Sequence, residues 1–117
     1  MRTEIWRLGR GRAWRVSVTE TRRERARGLR GREGLAPNEA LFLPRCRSVH
    51  TFGMRFALDV ATLDSEMRVL QVVSMPRRRL LLPRRCVRHI LELMAGSELQ
   101  PGIRFQMSNA RMARLTK

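Results

Sequence analysis

The chain has 117 residues, with 43% hydrophobic content and 25 basic against 10 acidic side chains, a formal net charge of +15. That length and apolar content suit one domain with a real core and exclude wholesale disorder. No apolar run approaches the roughly 18 residues of a membrane-spanning helix, and the basic N-terminus lacks the apolar stretch of a secretory leader. A cytoplasmic location is therefore expected, unless a leader has been trimmed.

The basic residues are 24 arginines and one lysine, Lys117. Tyrosine is absent, and isoleucine and asparagine are scarce. Avoidance of AT-rich codons explains arginine in place of lysine. It does not explain the excess over acidic residues, because that exchange conserves charge. Attraction to polyanions in general follows.

In chain order, Trp6 and Leu8, then Trp14, Val16 and Val18, alternate with polar residues. This period of two predicts two half-buried strands joined by a turn around Gly9 to Gly11. Thr21 and Glu24 have capping-box spacing, which predicts a short helix from about Arg22 to Arg30. Ala26 and Leu29 would form its inner face, and Gly31 and Gly34 can end it. Ala40 to Leu43 reads as a short buried strand before Pro44.

The clearest alternation runs from Val49 to Asp59. His50, Phe52, Met54, Phe56, Leu58 and Val60 fall on one face, and Thr51, Gly53, Arg55, Ala57, Asp59 and Ala61 on the other. This is one long strand, or two broken by a bend. Asp64-Ser65-Glu66 turns the chain into a strand over Met67 to Met75, giving a hairpin. Arg77 to Arg85 reads as an irregular basic connection. Val87 to Met94 fits helix and strand periods equally. Ile103, Phe105 and Met107 alternate as a last strand, so one domain is expected over residues 1–107. Residues 108–117 form a basic tail that should fray.

Several strings in this order resemble a known family. They are Gly28-Leu29 after an arginine-rich helix, Leu41-Phe42, His50 through Asp59, Leu91-Glu92-Leu93, and Ala95-Gly96. The set is similar to domain of unknown function 192, also called uncharacterised protein family 0127, over roughly Thr19 to Met107. The resemblance implies a mainly β, sandwich or jelly-roll-like single domain with one short helix in its N-terminal half. It favours a strand over Val87 to Met94, and it implies no reaction. The chain departs from the pattern at Ala57, where the family usually has proline. It also lacks the common hairpin glycine near Met67, and it has Ile103 after Gly102 where aspartate is frequent.

Four polar residues carry the candidate site: His50, Arg55, Asp59 and Glu92. Histidine beside a carboxylate suits proton transfer. On a straight strand, however, His50 and Asp59 face opposite ways, and Arg55 and Asp59 lie about 13 Å apart. The plainer roles are a hydrogen-bonded His50, an Asp59 that caps a turn or pairs with arginine, and a Glu92 that faces solvent or is anchored by arginine. His89 is expected to be structural.

Cys46 and Cys86 suit free thiols, since no CxxC or zinc spacing is present. No metal or cofactor is expected, and no GxSxG, HExxH or phosphate-cradling loop occurs. Arg22, Arg23 and Arg25 on the helix, with Arg77, Arg78 and Arg79 on the connection, are candidate polyanion contacts. Aromatics are only 5% of the chain, too few for stacking platforms, so nucleic-acid contact would be unspecific. The leading expectation is a non-enzymatic binding or accessory module for a protein or small polar ligand. The alternatives are nucleic-acid binding and a small enzyme using His50 with Asp59.

Overall fold

Much of the period-two patterning becomes strand in the computed structural model, which describes residues 1–8, 12–51, 53–77, 80–81 and 84–106. The first hairpin pairs β1 (Arg2–Leu8) with β2 (Arg12–Val18), placing Trp6 opposite Trp14. The turn at Gly9 to Gly11 lies outside the described residues, as do Met107 and the 108–117 tail. β3 (Glu39–Leu43) runs parallel to β2. Parallel neighbours need a crossover, and residues 19–38 supply it, including helix α1 (Arg22–Arg27).

That helix is shorter than the capping pattern suggests. Its start is as expected: the Thr21 side chain accepts from the Glu24 N–H, and the Glu24 carboxylate accepts from the Thr21 N–H. Its end comes earlier, at Gly28, whose N–H donates to the Glu24 carbonyl at φ +53°. Ala26 is exposed rather than inward; only Leu29, beyond the helix, reaches the core.

The Val49–Asp59 segment is two strands separated by a turn. β4 (Val49–His50) stops before Thr51, whose carbonyl accepts from the Met54 N–H, and Gly53 holds φ +80°. β5 (Leu58–Leu63) then pairs with β6 (Val69–Met75) as a hairpin. The Arg77–Arg85 connection contains β7 (Leu80–Leu81), which pairs with β4 in a two-stranded ribbon. β8 (His89–Met94) settles the ambiguous run as strand, and β9 (Phe105–Gln106) ends the described chain.

Seven strands form one sheet in the order β6-β5-β8-β3-β2-β1-β9. The sheet curls until its ends meet. Residues ahead of β6 bridge to residues ahead of β9 at Arg68 and Arg104, and the Val69 N–H donates to the Ile103 carbonyl at 2.7 Å. All seven strands contribute to the core inside the curl, where Trp6 packs edge-on against Phe42 with ring centroids 4.7 Å apart. A second core lies on the outer face, where Leu29 and Leu35 cover Leu41, Leu43, Leu58, Val60 and Ile90. The central strands β5, β8 and β3 are thus buried on both faces, which is why their sequences are nearly continuous apolar runs. No helix among the described residues is long and apolar enough to cross a membrane.

The β5–β6 turn forms without glycine. The Asp64 carboxylate accepts from the Glu66 and Arg68 N–H groups, both at 2.9 Å, while Met67 takes φ +66°. The Met67 side chain is fully buried. Glycine there would relieve left-handed strain of about 1–2 kcal/mol but forfeit a core side chain whose truncation costs about 2–5 kcal/mol. Burial wins. Met67→Gly is expected to lower the urea-unfolding free energy by about 1–3 kcal/mol, although it gives the hairpin turn a glycine; a neutral or stabilising outcome would put turn strain above packing.

Candidate functional site

β8 is where the chemistry concentrates, because its two faces carry different polar residues into different surroundings. Leu91 and Leu93 point into the curl, while Ile90 belongs to the outer core. Strand alternation therefore places Glu92 on the outer face and His89 on the inner one. Both are almost fully buried, at 2% and 1% exposure.

His89 is tied into the structure. Its Nδ1 accepts from the Arg45 N–H at 3.0 Å, and its ring lies 5.4 Å from that of Phe42. An accepting Nδ1 is unprotonated, so the neutral ring carries its proton on Nε2. Burial first, then the charge of Arg45, holds its pKa down at about 4. The bond fixes Arg45, itself at φ +58°, and so sets the path of the chain into β4.

Glu92 is different. Its Oε1 is buried without a hydrogen-bond partner, and the residue lines a cavity of about 280 Å³. α1 and the turn after it form one wall, through Arg25, Arg27, Gly28 and Leu29. The connection from β3 to β4 forms the other, with Arg45, Cys46 and His50. Gly28 permits the close approach: a Cβ at its position would stand 3.4 Å from Glu92 Oε1, and its positive φ disfavours any side chain. Burial raises the Glu92 carboxyl to about 7, because a carboxylate loses its hydration there and gains no cation. The Cys46 thiol, which donates to the Ser48 carbonyl at 3.1 Å, is also pushed up by burial. Both cysteines are free.

The four candidate polar residues do not converge. His50 and Glu92 line the same cavity. Asp59 lies on the inner face of β5, where its Oδ2 accepts from the Ser97 N–H at 3.0 Å and the Ser97 hydroxyl at 2.7 Å. Arg55 is solvent-exposed, 3.7 Å from Glu33. The cavity also includes Arg25, put forward above as a polyanion contact; Arg22, Arg23 and Arg77 are exposed, and Arg78 and Arg79 lie outside the described residues. Arg27, Arg45, Cys46 and Gly28 line the cavity but are not among the four candidate polar residues. Gly28 carries a signal through the Gly28-Leu29 string, and Cys46 stands out only as a free thiol. Among the described residues no group of three or more His, Cys, Asp or Glu side chains is placed to hold a metal ion.

The model of domain of unknown function 192, described as uncharacterised ACR, matches residues 5–108. The chain belongs to this family. Two solved structures share its fold. One is a protein of unknown function from Novosphingobium aromaticivorans DSM 12444, with TM-score 0.76 and 19% identity over 90% of this chain and 85% of that one. The other comes from Sinorhizobium meliloti 1021 and is provisionally named a transcription regulator, with TM-score 0.78 and 23% identity over 90% and 93%. No curated protein matches. For this member of domain of unknown function 192, the Gly28-Leu29 string and Glu92 have a joint physical meaning: glycine admits the backbone beside the buried carboxyl, and Leu29 seals the core beneath the turn.

Two outcomes follow for stability. Folded Glu92 keeps its proton to about pH 7, against an ordinary 4.5, so between those values the folded state holds the extra proton and stability falls as pH rises. His89 has the opposite sign between about 4 and its ordinary 6.5, so the two effects largely offset one another in the wild type. Comparison with Glu92→Gln isolates the first. In urea unfolding the variant should match the wild type at pH 4 and exceed it by about 3 kcal/mol above pH 7; a difference independent of pH would mean an ordinary Glu92. Asp59→Ala, which strands two buried donors of Ser97, should cost about 2–3 kcal/mol and leave the Glu92 titration where it was.

Proposed function

We propose that the chain is a small binding module whose outer-face cavity takes a small polar ligand. The observation that carries this reading is the Glu92 carboxyl, buried, with Oε1 unpartnered, on a residue that lines the cavity. A buried polar atom without a partner loses hydration and gains nothing in exchange. Replacement by an apolar residue would remove that loss, so a ligand that supplies the missing partner gives the carboxyl a reason to be there. A cavity of about 280 Å³ is at the small end of ligand pockets. Its apolar walls at Leu29, Leu43 and Met54 can bury the body of a metabolite.

Catalysis by His50 with Asp59 finds no support in this arrangement, since Asp59 is held by Ser97 and does not line the cavity. Polyanion binding through Arg22, Arg23 and Arg77 finds less support than the cavity. The described aromatic side chains, Trp6, Trp14, Phe42, Phe56 and Phe105, are buried or half-buried, whereas unspecific strand binders expose theirs for stacking.

Amide chemical-shift mapping with pools of organic acids, sugars, amino acids and polyamines tests the reading. At least one pool should move the amides of Gly28, Cys46 and Glu92 together, and Ser48→Trp, which fills the cavity from its wall, should suppress the response. Shifts confined to the arginine-rich surface, or no shifts at these amides, would overturn it.

A further inference from the structure

The lining of the cavity asks for opposite charges. Glu92, which lines it, is 2% exposed, and no guanidinium acts on its carboxyl strongly enough to offset burial. A neutral donor would satisfy a lone pair there, as Ser97 does for Asp59. A cation compensates the lost hydration of the charged form more strongly. The arginines that line the cavity do not fill this role. Arg27 and Arg45 line it with exposed side chains, and Arg25 is half-buried. Among the described residues none of these three has a carboxylate within ion-pair distance; the bridges formed by arginines use Arg2, Arg32 and Arg55. Unpaired guanidinium groups lining a cavity favour a carboxylate or phosphate, which they can hold through paired N–H donors. Leu29, Leu43, Val49 and Met54 give the same cavity apolar walls.

We infer that the ligand is a small zwitterion, with an ammonium group seated on Glu92 and a carboxylate or phosphate held by Arg25, Arg27 and Arg45. This assignment rests on the cavity being a ligand site, and deepens that reading by naming the chemistry of its occupant. The opposite charges and apolar walls of the lining favour an amine and an anion joined by a short apolar spacer over polyamines, which offer nothing to the arginines, and over dicarboxylates, which offer nothing to Glu92.

Isothermal titration of the full chain with matched probes decides the matter. γ-Aminobutyrate carries both charges with a carboxylate, and O-phosphoethanolamine carries both with a phosphate. Butyrate, butylamine and inorganic phosphate each carry one. At least one zwitterion should bind tenfold or more tightly than every single-charge probe, and which of the two it is separates a carboxylate from a phosphate ligand. Glu92→Gln, close to isosteric and free of the buried charge, should erase that preference while leaving butyrate or phosphate binding within about twofold. The double variant Arg27→Gln/Arg45→Gln should weaken the zwitterion and remove most of the salt dependence of its binding. Butyrate or phosphate binding as tightly as its zwitterion, or a preference that survives Glu92→Gln, would overturn the assignment. If amine-free organic acids or sugars move the cavity amides while the zwitterions do not, the ligand site stands and the zwitterion falls. If nothing occupies the cavity, both fall.

Discussion

The structure turns on β8 being covered on both faces. The strand lies between β5 and β3 in the middle of a curled sheet, with one core inside the curl and another outside it. Any polar side chain on such a strand is buried whichever way it points. His89 and Glu92 meet that constraint in different ways. His89 finds a backbone N–H, stays neutral and becomes a fixed point for the chain entering β4. Glu92 leaves Oε1 unpartnered, as His89 leaves Nε2, but Glu92 alone of the two lines the cavity. The same crossover that makes β2 and β3 parallel brings α1 and Gly28 over the outer face. Topology and site are therefore one arrangement: the segment that the parallel pair requires is the segment that roofs the carboxyl.

The edges of the curl were easier to anticipate in sequence than its centre. Trp6, Trp14, Val16 and Val18 alternate cleanly because β1 and β2 have a wet face and a dry one, and strand periodicity reports that difference. β3 and β8 are dry on both faces, so their periodicity vanishes, and Val87 to Met94 was undecidable until the family resemblance favoured strand. Alternation from Val49 to Asp59 suggested continuity, but a Thr51–Met54 turn interrupts it. From Leu58 onward the predicted parity holds: Leu58 and Val60 face the outer core, and Ala61 faces the inner one. The helix end was misplaced for a local reason. Three glycines follow Arg27 within seven positions, each able to stop a helix, and only the tertiary approach to Glu92 selects Gly28.

The site itself was only partly legible. His50 and Glu92 stood out as polar residues within apolar strings, and both line the cavity. Asp59 stood out by the same criterion and serves Ser97 on the opposite face of the sheet. Residue type and local pattern do not separate these cases, because all three are polar residues on or beside buried strands. The difference lies in what reaches them from distant parts of the chain: a Ser97 hydroxyl for Asp59, an open space for Glu92. Arg27 and Arg45 were hidden by abundance. With 24 arginines in the chain, position in three dimensions is what distinguishes two of them.

Glu92 also shows why such a site is kept against its own energetics. Above neutral pH a buried carboxylate lacking a cation destabilises the fold by about 3 kcal/mol relative to its protonated form, a large share of the net stability of a small domain. Placing an arginine over it would recover much of that. Arg25, Arg27 and Arg45 line the same cavity, yet none offsets the burial of the carboxyl. A buried carboxyl left so is a local conflict in the fold, of the kind that functional sites carry. On the proposed reading, the ligand supplies the cation that Glu92 lacks, and the guanidinium groups lining the cavity set what else it carries.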